Sequence, residues 1–368
     1  MRSPQGKHDP VMRSPQGKRD DIQKTKIRSS EADLLVWNHA EARMNLNKIS
    51  GRCRFYKNML ESLDRYGGHG ELVRGLMRLA LFKPSNFVRH LRWKSICYHG
   101  VDRMILRFPG FSLGVDTNDD GISAELAIDR MHEPVGTEIL VSVLRENMTI
   151  VDIGSNIGYF VMQEACRQKC KRILAIEPNP TSFALLEENV RLNHFEHVSL
   201  HNLAISDREG MLPFYISKQS NISSITPRSD YVRKMDVPVM TLDALVEKEQ
   251  VEHVDLVRMD LEGHEIQVLR GMIETIRRDR PWICLEYHAP VISVQDRHDF
   301  VSTLESMDYE LKCFTFRWSD CPIFGRTIID RRNVIHEGQL REVLDQITSQ
   351  VLLLFIAPKE TPFKLPAF

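Results

Sequence analysis

Residues 149–160 read TIVDIGSNIGYF and residues 171–179 read KRILAIEPN, and this pair decides the fold. Ile150, Val151 and Ile153 form a short β-branched run of the kind that suits a buried parallel strand. Gly154, Asn156 and Gly158 follow before a helical pattern begins, which makes a strand, a tight turn and a helix. Glycines let the backbone turn sharply and approach a ligand, and the first turn of a helix offers unpaired N–H groups. A second strand over 172–176 ends in Glu177. This carboxylate stands close to the roughly 20-residue offset at which an acidic side chain meets a ribose hydroxyl. The turn lacks the GxGxxG spacing of dinucleotide-binding proteins, because Asp152, Gly154, Asn156 and Gly158 recur at every second position. A cationic, amino-acid-bearing ligand with no pyrophosphate to cradle, such as S-adenosylmethionine, suits a turn that adds a carboxylate and an amide. The plain alternative is a glycine turn that only starts a helix; Glu177 and the motifs downstream favour the ligand reading.

Working outward, strands are expected near 149–154, 172–177, 198–205, 254–260, 281–287, 309–316 and 351–357, with helices after most of them. That alternation marks an open, doubly wound α/β sheet. The segment 309–316 runs through a long polar loop into VLLLFIAP without a crossover helix, so the seventh strand is expected to enter antiparallel. Upstream, short apolar runs between Met104 and Asp116 broken by Pro109, Gly110 and Gly114 predict a hairpin, and a helix is expected from Thr137 to Leu144.

A second cluster of chemistry follows the apolar run 254–259, in Asp260-Leu261-Glu262-Gly263-His264-Glu265. The carboxyl ends of strands line the ligand crevice of an open α/β sheet, so Asp260 and Glu262 are expected there, on one side of the chain by alternation with Leu261. Gly263 admits a turn into a helix whose positive end keeps His264 neutral and able to take a proton from a hydroxyl. Helix capping is the plain alternative for these residues. Glu286 and His288 end the next strand. Together with Asp260, Glu262 and His264 they make a divalent metal conceivable, but the spacing matches no specific metal signature, so no metal ligand is assigned.

The chain has 368 residues and 42% hydrophobic content, enough for one full α/β core and an appended region. The net charge of −1 hides an asymmetry, with +12 over residues 1–110 and −13 over 111–368. A basic front end suits an acidic surface or a solvated helical cap. Seven cysteines (Cys53, Cys97, Cys166, Cys170, Cys284, Cys313 and Cys321) lack paired CxxC spacing and read as reduced core residues, with Cys166 and Cys170 on one helical face. No run of 18 apolar residues occurs. These features predict a soluble, cytoplasmic protein, with peripheral membrane contact as an option for the basic region and nucleic acid disfavoured. Residues 1–30 repeat MRSPQGK and are expected to be a disordered tail; 31–100 form a basic helical region, 101–145 a hairpin and lead-in helix, and 146–360 the catalytic domain.

The region from about 129 to 286 resembles the FkbM family of S-adenosylmethionine-dependent methyltransferases. VDIGSNIGYF is similar to the family's VDIGANIGYF, with Ser155 where Ala is usual, and AIEPNP, LHNLAISD and MDLEGHE follow in the family's order. SNISSI (220–225) and TLDAL (241–245) also fall where family members carry similar segments. The resemblance implies a Rossmann-like class I methyltransferase sheet of seven strands, the last antiparallel, with an N-terminal helical extension. It implies that Asp152, Gly154, Asn156 and Gly158 hold the methionine part of the cofactor. Glu177 would take the ribose hydroxyls, Asn202 and Ala204 would border the adenine, and Asp260 would face the methyl-bearing end. The substrate it implies is a hydroxylated small molecule or carbohydrate, methylated at oxygen. The assignment of Asp260, Glu262 and His264 as catalytic residues rests on the strand-end argument. A non-catalytic adenosyl-binding module recruited to lipid or nucleic acid by its basic region is the competing class.

Overall fold

The structure, a computed structural model, describes residues 84–365 apart from 168–169, 228, 230 and 318–334. The expectations for the tail over 1–30 and for most of the basic region over 31–100 lie outside the described residues. Helix α1 (Pro84–Tyr98) leads into a hairpin of β1 (Arg103–Phe108) and β2 (Phe111–Asp116), then α2 (Ile122–Asp129) and α3 (Pro134–Val143). The alternating core starts with β3 (Thr149–Ile153), α4 (Tyr159–Arg167), β4 (Arg172–Ile176), α5 (Pro180–Leu192) and β5 (Val198–His201). After β6 (Ala204–Ile205), β7 (Gly210–Ser217) and β8 (Tyr231–Met240) come α6 (Leu242–Lys248), β9 (Leu256–Met259), α7 (Glu265–Arg270) and α8 (Ile273–Asp279). The chain ends in β10 (Trp282–His288), α9 (Val294–Ser306), β11 (Tyr309–Phe316), β12 (Ile335–His336), α10 (Leu340–Gln346) and β13 (Val351–Pro358).

The main sheet has the order β12-β11-β13-β10-β9-β3-β4-β5. Its strands β5, β4, β3, β9 and β10 are mutually parallel, and β13 slots antiparallel between β10 and β11. The seven expected strands are all present, the last antiparallel, and the two-residue β12 adds an eighth at one edge. Strand alternation splits the core between the two faces of the sheet: Ile150, Ile173 and Leu256 pack on one, and Val151, Ile153, Leu174 and Val257 on the other. Burial on both faces stabilises by about 1.5–3 kcal/mol for each such side chain, which is why these strands read as unbroken apolar runs.

Three expectations are corrected. The segment 198–205 is two strands, because the chain leaves the sheet at Asn202 and β6 joins a separate three-stranded sheet with β8 and β7. The apolar run 254–260 is strand only over Leu256–Met259, so Asp260 and Glu262 sit in the turn that follows and strand alternation does not orient them. Helix α4 ends at Arg167, so Cys166 and Cys170 do not share a helical face.

Connections from β3 run outward one way to β4 and, from β9, the other way to β10, so the switch point lies between β3 and β9. A crevice at the carboxyl ends of these strands is the consequence.

Candidate active site

The crevice opens at that switch point, lined by the ends of β3, β4 and β9. Gly154 (φ +81°) begins the turn after β3. A Cβ there would stand 2.2 Å from the carbonyl oxygen of Asp260, so this position requires glycine both for its backbone angle and for the close approach of the two strand ends. The Gly154 and Ser155 amides both donate to the Ile176 carbonyl, at 2.9 and 3.0 Å, which clamps the turn to the end of β4. Asn156, also left-handed at φ +48°, donates its amide to Glu177 Oε2 at 2.8 Å. The Asn179 amide donates to Glu177 Oε1 at 2.7 Å. The Glu177 carboxylate is thereby fixed between two turns on the wall of the crevice. Burial pushes its pKa up to about 7, against the two amide bonds that favour its charge.

The floor is electrostatic. Asp152 and Arg258 face each other in register across β3 and β9. The Arg258 guanidinium lies 3.3 Å from Asp152 and 3.6 Å from Asp260, and it stacks on the Phe160 ring at 3.8 Å. Asp152 is fully buried and also accepts the Ser155 hydroxyl at 2.8 Å, so its carboxylate braces the turn from below. Glu164, equally buried behind this pair, is pushed well above the usual carboxylate range by burial and then by Asp152. Asp260 lines the crevice, its Oδ1 buried without a hydrogen-bond partner, and burial raises its pKa against the pull of Arg258. His264 lines the crevice as the N-cap residue of α7, its Nε2 3.0 Å from the Ser206 hydroxyl. Burial lowers its pKa, which keeps the imidazole neutral.

Of the residues expected at the cofactor, Gly154, Asn156, Glu177 and Ala204 line the crevice. Asp152 lies beneath it. Gly158 (φ +92°) serves packing, since a Cβ would meet the Leu186 side chain at 2.6 Å. Asn202 donates its side-chain amide to the Glu177 and Pro178 carbonyls, at 2.8 and 3.3 Å, shaping the turn that carries Glu177. Of the residues expected to be catalytic, Asp260 and His264 line the crevice. Glu262, left-handed at φ +53°, points instead to His288 Nε2 at 3.6 Å.

Several lining residues carried no functional reading in the sequence. Arg258 and Phe160 form the floor, and the segment from Ser220 to Ile225 forms one wall. That wall is tied to the body through Asp119, which accepts bonds from the Ser220 amide and hydroxyl and from the Gly121 and Ser123 amides. The SNISSI segment was the available signal, because a run of small polar residues between strands suits a loop that closes over a ligand.

Comparison with known proteins meets this site. The profile of the Methyltransferase FkbM domain matches residues 152–311, from the buried carboxylate of β3 to the middle of β11. The hexuronic acid methyltransferase AglP of Haloferax volcanii is 30% identical over 154 residues, covering 42% of this chain and 61% of that protein. Methyltransferase 1 of Beauveria bassiana is 25% identical over 236 residues, covering 57% and 92%. The 2-O-methyltransferase NoeI of Sinorhizobium fredii is 27% identical over 165 residues, covering 40% and 67%. Among solved structures, a methyltransferase FkbM from Methylobacillus flagellatus is 14% identical with a TM-score of 0.37, over 63% of this chain and 52% of that one. The chain thus spans about three fifths of AglP and nearly all of Methyltransferase 1. Residues 152–311 therefore match the FkbM methyltransferase domain, and the relatives that the chain resembles are methyltransferases.

Proposed function

We propose that the chain is an S-adenosylmethionine-dependent O-methyltransferase whose acceptor is a hydroxyl of a sugar, a glycan or lipid headgroup, or a natural product. The observation that carries the reading is the convergence, at one switch-point crevice, of the Gly154–Asn156 turn and Glu177 with Asp260 and His264. The names of two relatives, a hexuronic acid methyltransferase and a 2-O-methyltransferase, support a sugar-like acceptor.

The cofactor that the family implies fits the residues present. Glu177 offers an acceptor carboxylate at the second strand end, the left-handed turn brings backbone close to the ligand, and Ala204, Ile205 and Phe214 give an apolar wall. The orphaned Asp260 Oδ1 supports a polar partner at the end of β9. When bound, S-adenosylmethionine supplies an activated sulfonium methyl group. The chain's contribution is then positioning and proton management. Glu177 accepts ribose hydroxyls in its ionised form. Asp152 and Arg258 hold the turn and Asp260 in place. His264, neutral and braced through Ser206, accepts the proton that the acceptor hydroxyl loses.

The test is to incubate the purified protein with S-adenosylmethionine and a panel of uronic acids, hexoses and glycolipid headgroups, and to measure S-adenosylhomocysteine release. Release that depends on a hydroxylated acceptor is expected. Binding of the cofactor without turnover on any acceptor would favour the non-catalytic module instead.

A further inference from the structure

Beside the crevice, the ends of β9 and β10 bring three side chains to one point. One ligand-capable atom each from Asp260, Glu286 and His288 lies within 4.8 Å of the other two. They come together through the parallel pairing of β9 with β10, which sets Leu285 beside Met259 and carries both strand ends to the same level. The histidine is oriented for ligation. His288 Nδ1 is 2.7 Å from the buried Glu265 carboxylate, which fixes the ring. Its Nε2 is turned toward Glu262 at 3.6 Å and Glu286 at 3.9 Å, distances too long for hydrogen bonds. His288 is only 7% exposed, and its Nε2 faces these two carboxylates at ion-pair rather than hydrogen-bond distance. A carboxylate on one ring nitrogen and the other nitrogen facing further ligands is the arrangement that metal-bound histidines adopt.

We propose that Asp260, Glu286 and His288, with Glu262 at the rim, form a divalent-cation site that holds and polarises the acceptor hydroxyl. The proposal rests on the methyltransferase reading for the role of the ion, but not for its binding. One imidazole and two or three carboxylates suit Mn²⁺ or Mg²⁺, with Zn²⁺ as a borderline competitor. Two ligands on opposite sides of one such ion are about 4.0–4.2 Å apart, twice the Mg²⁺ ligand distance. A spread of 4.8 Å therefore closes by small side-chain rotations. The site also balances charge: Glu133, Asp260, Glu262, Glu265 and Glu286 gather around His288, Arg258 and Arg317 are neighbouring cations among the described residues, Arg258 is shared with Asp152, and a dication would take the place of a proton on His288. Because Asp260 belongs both to this cluster and to the crevice, an ion there would meet the acceptor oxygen next to the methyl donor. Bound to the cation, that oxygen gives up its proton to His264 more readily.

The experiment is titration of metal-stripped protein with Mn²⁺ alone, followed by loss of the free-ion electron paramagnetic resonance signal. S-adenosylhomocysteine binding is measured in parallel by calorimetry. One tight Mn²⁺ per chain is expected, with at least tenfold weaker uptake in Glu286→Gln and His288→Gln and unchanged S-adenosylhomocysteine binding in both. Folded wild-type protein that binds S-adenosylhomocysteine but takes up no Mn²⁺, Mg²⁺ or Zn²⁺ at millimolar concentration would overturn the site. Uptake of Mn²⁺ undiminished in both variants would overturn the ligand assignment. Mn²⁺ uptake without S-adenosylhomocysteine binding would leave the cation site standing and sink the methyltransferase reading.

Discussion

With Glu177 taking the ribose hydroxyls as proposed, cofactor affinity should depend on pH in a range where few carboxylates titrate. Its pKa is held at about 7 by burial, and an acceptor of two ribose hydroxyls must be ionised. With that value, about 90% of the sites are competent at pH 8 and about 9% at pH 6. Apparent affinity scales with the competent fraction, so the dissociation constant should rise about tenfold from pH 8 to pH 6, about 1.4 kcal/mol. Stability moves the other way. The folded pKa lies above the unfolded 4.5, so between about 4.5 and 7 the folded state binds more protons. The free protein therefore gains stability from this group as pH falls through 7, up to about 3 kcal/mol, while the same protonation weakens cofactor binding. Calorimetric titration with S-adenosylhomocysteine from pH 5.5 to 8.5 measures the slope, and thermal unfolding over the same range measures the opposing trend. In Glu177→Gln an NH₂ group meets one of the two donor amides, so binding should be weaker at every pH and its slope lost. A wild-type protein with flat affinity between pH 6 and 8, or a Gln variant with the wild-type slope, would exclude this role for Glu177.

Gly154→Ala should abolish S-adenosylhomocysteine binding while the sheet persists by circular dichroism, since the new Cβ collides with the Asp260 carbonyl at 2.2 Å. Asp152→Asn removes the nearer of the two carboxylates paired with Arg258 in the floor and leaves Asp260, and breaking a buried pair costs up to about 3–5 kcal/mol. Differential scanning calorimetry should therefore show a drop in melting temperature of roughly 6–20 °C. His264→Ala should bind S-adenosylhomocysteine as the wild type does and turn over about 10²- to 10⁴-fold more slowly. Single-turnover kinetics with an active acceptor separates the two effects, and loss of binding alone would reassign His264.

The parts of the fold legible in the sequence are those coded by contiguous residues. The β3 turn and Glu177 are read directly, because a buried parallel strand is an unbroken apolar run and its turn needs glycine at a fixed offset. The antiparallel β13 is legible for the same reason, as VLLLFIAP lacks a helix before it of crossover length. The β7–β8 ribbon escapes because most of β8 is exposed and its YVRKMDVPVM sequence lacks an apolar face of strand period until its last residues. Arg258 escapes because its charge sits inside the apolar run of β9, and only the register opposite Asp152 explains why burial tolerates it. Asp260 and His264 were found through the strand-end rule, although the alternation argument behind it fails one residue past the strand. The His288–Glu265 pair is 23 positions apart in sequence and meets only through the folded chain.

The crevice at the ends of β3, β4 and β9 is proposed to take an adenosyl sulfur ligand and use it. Calorimetric titration of the purified chain with S-adenosylmethionine and S-adenosylhomocysteine, with NADH as the control, tests it most directly. Micromolar binding of both sulfur nucleosides is expected, one per chain and lost in Gly154→Ala, with no binding of NADH. Well-folded wild-type protein that binds neither sulfur nucleoside, or that prefers NADH, would contradict it.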